Sequence, residues 1–179
     1  MKTVSLVLGS GGARGLAHIG VIRWLEENDY SIKSISGCSI GALVGGVYAA
    51  GKLDEFEHWV RAVTKFDMLG LLDMSWSRSG LVKGDRIIDT LIELVGDQLI
   101  ETLPLRYTAI AADIKNEKEV WINSGRLFDA IRASISLPLL FTPYPVSYTH
   151  LTLPTTGHGG SWGGGGGGWW GGGGGGGGG

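Results

Sequence analysis

Gly37-Cys38-Ser39-Ile40-Gly41 is the stretch on which the fold turns. The run before it, Ser31-Ile32-Lys33-Ser34-Ile35, alternates and predicts a strand. The run after it, Ala42-Leu43-Val44-Gly45-Gly46-Val47-Tyr48-Ala49-Ala50, is apolar and predicts a buried helix. Strand, Gly-x-Ser-x-Gly, helix is the pattern of a nucleophile elbow. A sharp turn has to push the serine oxygen away from the backbone, and a Cβ at either flank would crowd it. The helix that follows aims its first N–H groups, and the positive end of its dipole, at any oxyanion formed beside the serine. Ser39 is expected at an exposed tip. The plainer alternative is a small-residue turn between a strand and a helix, and the pentapeptide alone does not separate the two.

The chain around it has 179 residues, one domain's worth. Its 15 basic and 17 acidic residues all precede Val146, whereas more than half of its 33 glycines follow it. The formal net charge of −2 belongs to the first part and gives no reason to expect nucleic acid as a partner. Cys38 is the only cysteine, so no disulfide forms within the chain, which fits a cytoplasmic protein. The apolar run after Met1-Lys2-Thr3 ends at Gly9, too short for a signal segment with a cleavage site. No stretch is long enough to cross a bilayer.

Thr3-Val4-Ser5-Leu6-Val7-Leu8 reads as a buried first strand and runs into Gly9-Ser10-Gly11-Gly12-Ala13-Arg14-Gly15. Leu16, Ile19, Ile22 and Leu25 then recur at helical spacing over 16–28, with Arg23, Glu26 and Glu27 outward. Strand, glycine loop, helix presents backbone N–H groups to an anion. A dinucleotide site would want an acidic residue at the end of the second strand, where this chain has Ser36-Gly37-Cys38-Ser39. A P-loop would need Gly-Lys-Ser/Thr, which is absent. The third reading is an oxyanion hole. Neighbouring parallel strands end side by side, so Gly11 and Gly12 N–H groups would meet the oxyanion made at Ser39. Arg14 then either bears charge toward the site or braces the loop. The plain alternative is a solvated arginine at a helix start, which the dipole disfavours.

Gly-Ser-Gly-Gly-Ala-Arg-Gly-Leu-Ala-His-Ile-Gly-Val at 9–21, followed by Ser-Gly-Cys-Ser-Ile-Gly-Ala-Leu at 36–43, resembles the bacterial branch of the patatin-like phospholipase family. The resemblance covers residues 1 to about 145, by the extent of these motifs. Ser10 departs from the all-glycine form of the loop without blocking its backbone donors. The resemblance implies an α/β fold: three-layer α/β/α around a mainly parallel sheet. It implies a lipid acyl hydrolase with a serine–aspartate dyad, no catalytic histidine and no cofactor or metal. The partner implied is a lipid or acyl-ester substrate, with peripheral contact at the inner face of a membrane left open.

The histidines fit. An ordinary α/β-hydrolase needs a histidine after its serine. Only His58 follows within the well-composed region, on an amphipathic helix around 54–63, as a surface or core-edge residue. His18 reads as a packed helix residue. Residues 67–84 form an apolar loop with Met68, Leu69, Leu71, Leu72, Met74 and Trp76, which either meets acyl chains or tucks onto the core. Asp85 caps a helix with Ile87, Ile88, Leu91, Ile92 and Val95 periodic after it. Residues 107–113 and 119–123 read as a hairpin about the polar turn 115–118. Residues 127–136 read as a helix stopped by Pro138. Within it, Arg132-Ala133-Ser134-Ile135-Ser136-Leu137-Pro138 again resembles the family, where this segment packs near the dyad.

Two regions are therefore expected, the family's N-terminal part over 1–145 and a disordered glycine-rich tail over 146–179. Val146-Ser147-Tyr148-Thr149-His150-Leu151-Thr152-Leu153-Pro154-Thr155 and the glycines and tryptophans beyond it carry no charge and cannot bury a core. The segment 146–155 matches one reading frame of a sequencing adapter, and poly-glycine is what a poly-G read encodes, so the tail reads as a sequencing artefact. The Asp-Gly-Gly or Asp-Gly-Ala segment that the resemblance implies, with the dyad's acid, is missing. The chain as written is expected to be inactive. A lipid-binding or regulatory domain without turnover is the competing reading, and the intact elbow serine speaks against it.

Overall fold

The computed structural model describes residues 2–62, 85–113, 116–136, 144–146 and 149–152. β1 (Lys2–Leu8) leads through a 3₁₀ turn (Gly12–Leu16) into α1 (Ala17–Glu27). β2 (Tyr30–Cys38) gives way to α2 (Ile40–Ala49) across the single residue Ser39. Helices α3 (Leu53–Ala62) and α4 (Asp85–Val95) follow, then a short 3₁₀ turn (Ile100–Thr102) and β3 (Arg106–Asp113). β4 (Lys118–Ile122), α5 (Leu127–Ile135), β5 (Tyr144–Val146) and β6 (Thr149–Thr152) complete the described order. Residues 67–84, read from sequence as an apolar loop, lie outside the described residues.

The three strands that carry the site, β1, β2 and β3, run parallel, and three shorter antiparallel strands extend them. Leu8 pairs with Gly37, so β1 and β2 end in step and the connections after them open at one end of the sheet, while β3, whose Ala109 pairs with Gly37, runs on to Asp113. Right-handed crossovers between strands in the order β1-β2-β3 put their helices on one face. That face carries Leu8, Ile32, Ile35, Tyr107 and Ala109, in one cluster with Ile22, Val44, Val47, Phe56, Leu91, Leu127, Phe128 and Ile131. The opposite face carries Val7, 78% exposed, and Trp121, 58% exposed.

Local chemistry sets the joins. Gly46 lets α2 lie against α5 and β3, since a Cβ there would crowd Ile131, Leu127 and the Tyr107 ring. The Tyr107 hydroxyl, buried with its ring, donates to the Ala42 carbonyl at 2.8 Å, and burial pushes its pKa up. Asp97 anchors the start of α5, accepting from Arg126 Nε at 2.6 Å and from the Phe128 N–H at 3.3 Å. A carboxylate so placed satisfies a helix N-terminus that its own cap residue leaves open. Arg23 ties α1 to α3 through Asp54 and Glu57.

Two sequence expectations are modified. The helix expected from Leu16 starts at Ala17, because Gly12–Leu16 winds as a tighter 3₁₀ turn. Thr149–Thr152 forms a strand where the sequence predicts none. The register gives the reason. Ala109 and Ile110 pair with β2 on one edge and β4 on the other, while Ala112 and Asp113 pair with β4 and β6. β6 therefore takes the edge of β3 that β2 vacates at Ser39, where unpaired backbone groups wait for a partner.

Candidate active site

Ser39 stands alone between β2 and α2 with φ 56° and ψ −122°. A non-glycine residue seldom takes a positive φ, and one that does is held there by its surroundings. The flanking glycines show how. A Cβ on Gly37 would come closer than 3.0 Å to the Gly41 carbonyl, and one on Gly41 closer than that to the carbonyls of Leu8 and Gly9. The elbow is thus packed backbone against backbone onto the end of β1. Gly15 repeats the device, since a Cβ there would strike the Ile40 side chain. The glycine loop and the elbow are pressed together.

The elbow's own bonds are specific. The Ser39 carbonyl accepts the Leu43 N–H at 3.1 Å, the first bond of α2. The Ser39 N–H donates to the Ser134 hydroxyl at 2.8 Å. The Ser39 side chain makes no cap bond to α2, so its hydroxyl is not spent on the helix it precedes. Ser39 is only 7% exposed, against the expectation of an exposed tip. Close packing on β1 and the contact with α5 draw the turn inward. Cys38, half-buried beside it, has its thiol pKa pushed up by burial, and a hydrogen bond to Ser134 pulls the other way.

In the loop, Gly12 has φ +53° with open space where a Cβ would sit, so backbone conformation rather than crowding calls for glycine there. Gly11 has φ 169° and ψ 4°, and its carbonyl accepts the Arg14 N–H at 3.2 Å, closing the turn. Among the described residues, no backbone carbonyl takes the N–H of Gly11 or Gly12. Those two donors are available to an anion. The Arg14 side chain is exposed, and among the described residues no carboxylate pairs with it. His18, treated from sequence as packing, bonds through Nε2 to the Gly9 carbonyl at 2.9 Å, which ties the loop to α1. As the donor in that bond, Nε2 carries the proton.

The other polar groups are placed as follows. His58 is exposed on α3, with Nδ1 donating to the Asp54 carbonyl at 2.8 Å. His150 lies on β6, and His158 lies outside the described residues. Asp113, at the end of β3, is 5% exposed. Its carboxylate accepts from the Asn116 N–H at 3.2 Å and from Asn116 Nδ2 at 2.6 Å, so it organises the β3–β4 turn. Sequence reading found the segment 132–138 without finding Ser134's bond. The signal lay in a serine on the apolar face of α5, where a hydroxyl needs a partner.

Similarity to known proteins gives the family. The family model described as patatin-like phospholipase matches residues 6–160. An uncharacterized NTE family protein of Mycobacterium tuberculosis is 51% identical over 143 residues, 80% of this chain and 40% of its own length. A lysophospholipase of Emericella nidulans is 32% identical over 150 residues, 79% of this chain and 10% of its own. A neuropathy target esterase of Drosophila persimilis is 33% identical over 141 residues, 76% of this chain and 10% of its own. The chain thus spans well under half the length of these relatives. With its paired glycine loop and serine elbow on one end of a parallel sheet, the chain belongs to the patatin-like phospholipase family.

Proposed function

We propose that this chain carries the nucleophile half of a lipid acyl hydrolase of the phospholipase A or esterase type. The observation that carries the reading is the conformation of Ser39, a non-glycine residue at φ 56° whose hydroxyl caps nothing. Ser39 Oγ attacks the ester carbonyl. The tetrahedral oxyanion falls to the N–H groups of Gly11 and Gly12, which no backbone carbonyl among the described residues takes, and to the start of α2. Arg14 closes the loop through its backbone and puts positive charge at its rim. The substrate class follows from the family and from a lysophospholipase among the relatives. Contact with the inner face of a cytoplasmic membrane belongs to the same proposal.

A serine hydroxyl is a weak nucleophile until a base takes its proton. In the proposed dyad that base is an aspartate of an Asp-Gly-Gly or Asp-Gly-Ala segment. This sequence has neither segment, and no acidic residue follows Asp129. Residues 1–179 therefore turn over short-chain esters at or near background. A longer form that supplies such a segment turns them over. The test is p-nitrophenol release by both forms and by Ser39→Ala of the longer one. Activity that survives Ser39→Ala would remove the nucleophile assignment. Turnover by 1–179 that depends on Ser39 would show that the chain holds its own base.

A further inference from the structure

We infer that Ser134 is a positioning residue for Ser39, holding the elbow by its backbone without touching substrate; the inference rests on the reading of Ser39 as nucleophile. Ser134 lies on α5 and is fully buried. Its hydroxyl accepts the Ser39 N–H at 2.8 Å and donates to the Ile110 carbonyl at 2.6 Å. One hydroxyl thus accepts from one strand and donates to the next where the two have just parted, and the Cys38 thiol, at the end of the first, bonds to it as well. Cys38 is the last residue of β2 paired with β3, and its partner there is Ile110. Ser39 follows, where the chain turns out of the sheet. The hydroxyl of α5 is inserted between an N–H of one strand and a carbonyl of the next, which neighbouring strands would otherwise bond directly.

The consequence is geometric. The Ser39 N–H is fixed by Ser134, and the Ser39 carbonyl is fixed by the Leu43 N–H at 3.1 Å. Both peptide planes at the Ser39 Cα are therefore held, and the direction of its Cα–Cβ bond follows. A sparsely populated backbone conformation persists only where its surroundings over-determine it. The glycines at 37 and 41 permit this turn, and Ser134 selects it. The same bond couples the nucleophile to α5, whose own start is pinned by Asp97.

The test compares wild type, Ser134→Ala, Ser134→Thr and Ser39→Ala in the full-length protein, at a temperature well below the lowest melting point. Ser134→Ala is expected to lower kcat roughly 10- to 100-fold, the effect of a small misplacement of a reacting group. KM stays within about twofold, because the hydroxyl does not touch substrate. Ser134→Thr keeps the oxygen and recovers most of kcat. A merely structural serine would change the melting point and leave kcat per folded molecule alone. That result, or a folded Thr variant no better than Ala, overturns the inference. Amide hydrogen exchange supplies a readout that needs no activity. In Ser134→Ala the Ser39 amide should exchange at least about tenfold faster while the Leu43 amide is unchanged. If wild type proves inactive, or Ser39→Ala retains turnover, the nucleophile reading fails. The exchange result then decides by itself whether Ser134 holds the elbow, and an unchanged Ser39 amide overturns it.

Discussion

Ser39 and Asp113 make an instructive pair. Both follow or end neighbouring parallel strands at one end of the sheet, and both are buried, at 7% and 5% exposure. By position alone, either could serve chemistry there. They differ in what holds them. At Ser39 the backbone is committed, to Ser134 on one side and Leu43 on the other, while the side chain caps nothing. At Asp113 the backbone lies in an ordinary ladder, and the side chain is committed, to Asn116. A reactive group needs the first arrangement, fixed in place with its working atom unspent. A turn-forming acid shows the second. The end of a strand is where such residues can sit, and the bonding of backbone against side chain tells them apart.

The largest expected effect tests the first half of the contrast. Ser39→Ala in the full-length protein should lower ester turnover by roughly 10⁴-fold or more, as loss of a covalent nucleophile does. Its melting point should stay within a few degrees, because the hydroxyl makes no cap bond and the backbone bonds remain. Next comes the packing that commits the backbone. Gly41→Ala would drive a Cβ into the carbonyls of Leu8 and Gly9, which are backbone and cannot swing aside. It should cost about 3 kcal/mol of stability by urea unfolding, and activity should fall with it. A Gly41→Ala protein as stable and active as wild type would mean that the elbow does not need its close seat on β1.

Much of this site was legible in the sequence, and the unreadable parts have a common cause. The glycines at 37 and 41 announce a turn that excludes side chains, and the alternation and apolar runs around them place strand and helix. The β3–β4 hairpin and α5 follow from periodicity and from a polar turn, and they fall within a residue or two of expectation. Burial of Ser39 could not be read, because it depends on α5 arriving ninety-five positions later in the chain. The role of Ser134 was hidden for the same reason. A serine within an apolar helix face signals a hydrogen bond but not to whom. His18 is similar, since its bond to Gly9 depends on how the 3₁₀ turn folds the loop back on α1. Strand Thr149–Thr152 was missed because an open edge on β3, rather than its own composition, gives it a place.

A smaller effect concerns the rim of the anion site. Arg14 holds the loop through its N–H, which any residue supplies, and its side chain is exposed. If its charge assists the oxyanion, Arg14→Ala should lower kcat by roughly 10-fold, a typical share for one electrostatic contact, with KM little changed. The loss should shrink as salt rises, since an exposed charge is screened. Equal kinetics in both proteins would leave Arg14 with its backbone role alone.

The smallest expected effect is the one that can break the contrast outright. Asp113→Asn retains an oxygen for the Asn116 N–H and removes the charge. With Asp113 acting only on its turn, ester turnover in the full-length protein should stay within about threefold of wild type. Stability should fall by about 1 kcal/mol, the worth of a weakened hydrogen bond. The two numbers must be read together. A general base loses its function when its carboxylate becomes an amide, so a base at Asp113 would show a kcat loss of roughly 10²-fold or more with stability hardly touched. That outcome would place the proton acceptor on β3, beside the strand that leads into Ser39, and would make an active enzyme of residues 1–179. The geometry argues the other way. Ile110, not Asp113, is the β3 residue opposite the end of β2, and the link from Ser39 to β3 runs through the Ser134 hydroxyl to the Ile110 carbonyl. Asp113 lies further along β3, at the turn it shares with Asn116. A carboxylate held there stabilises the hairpin and leaves the proton of Ser39 to another acid.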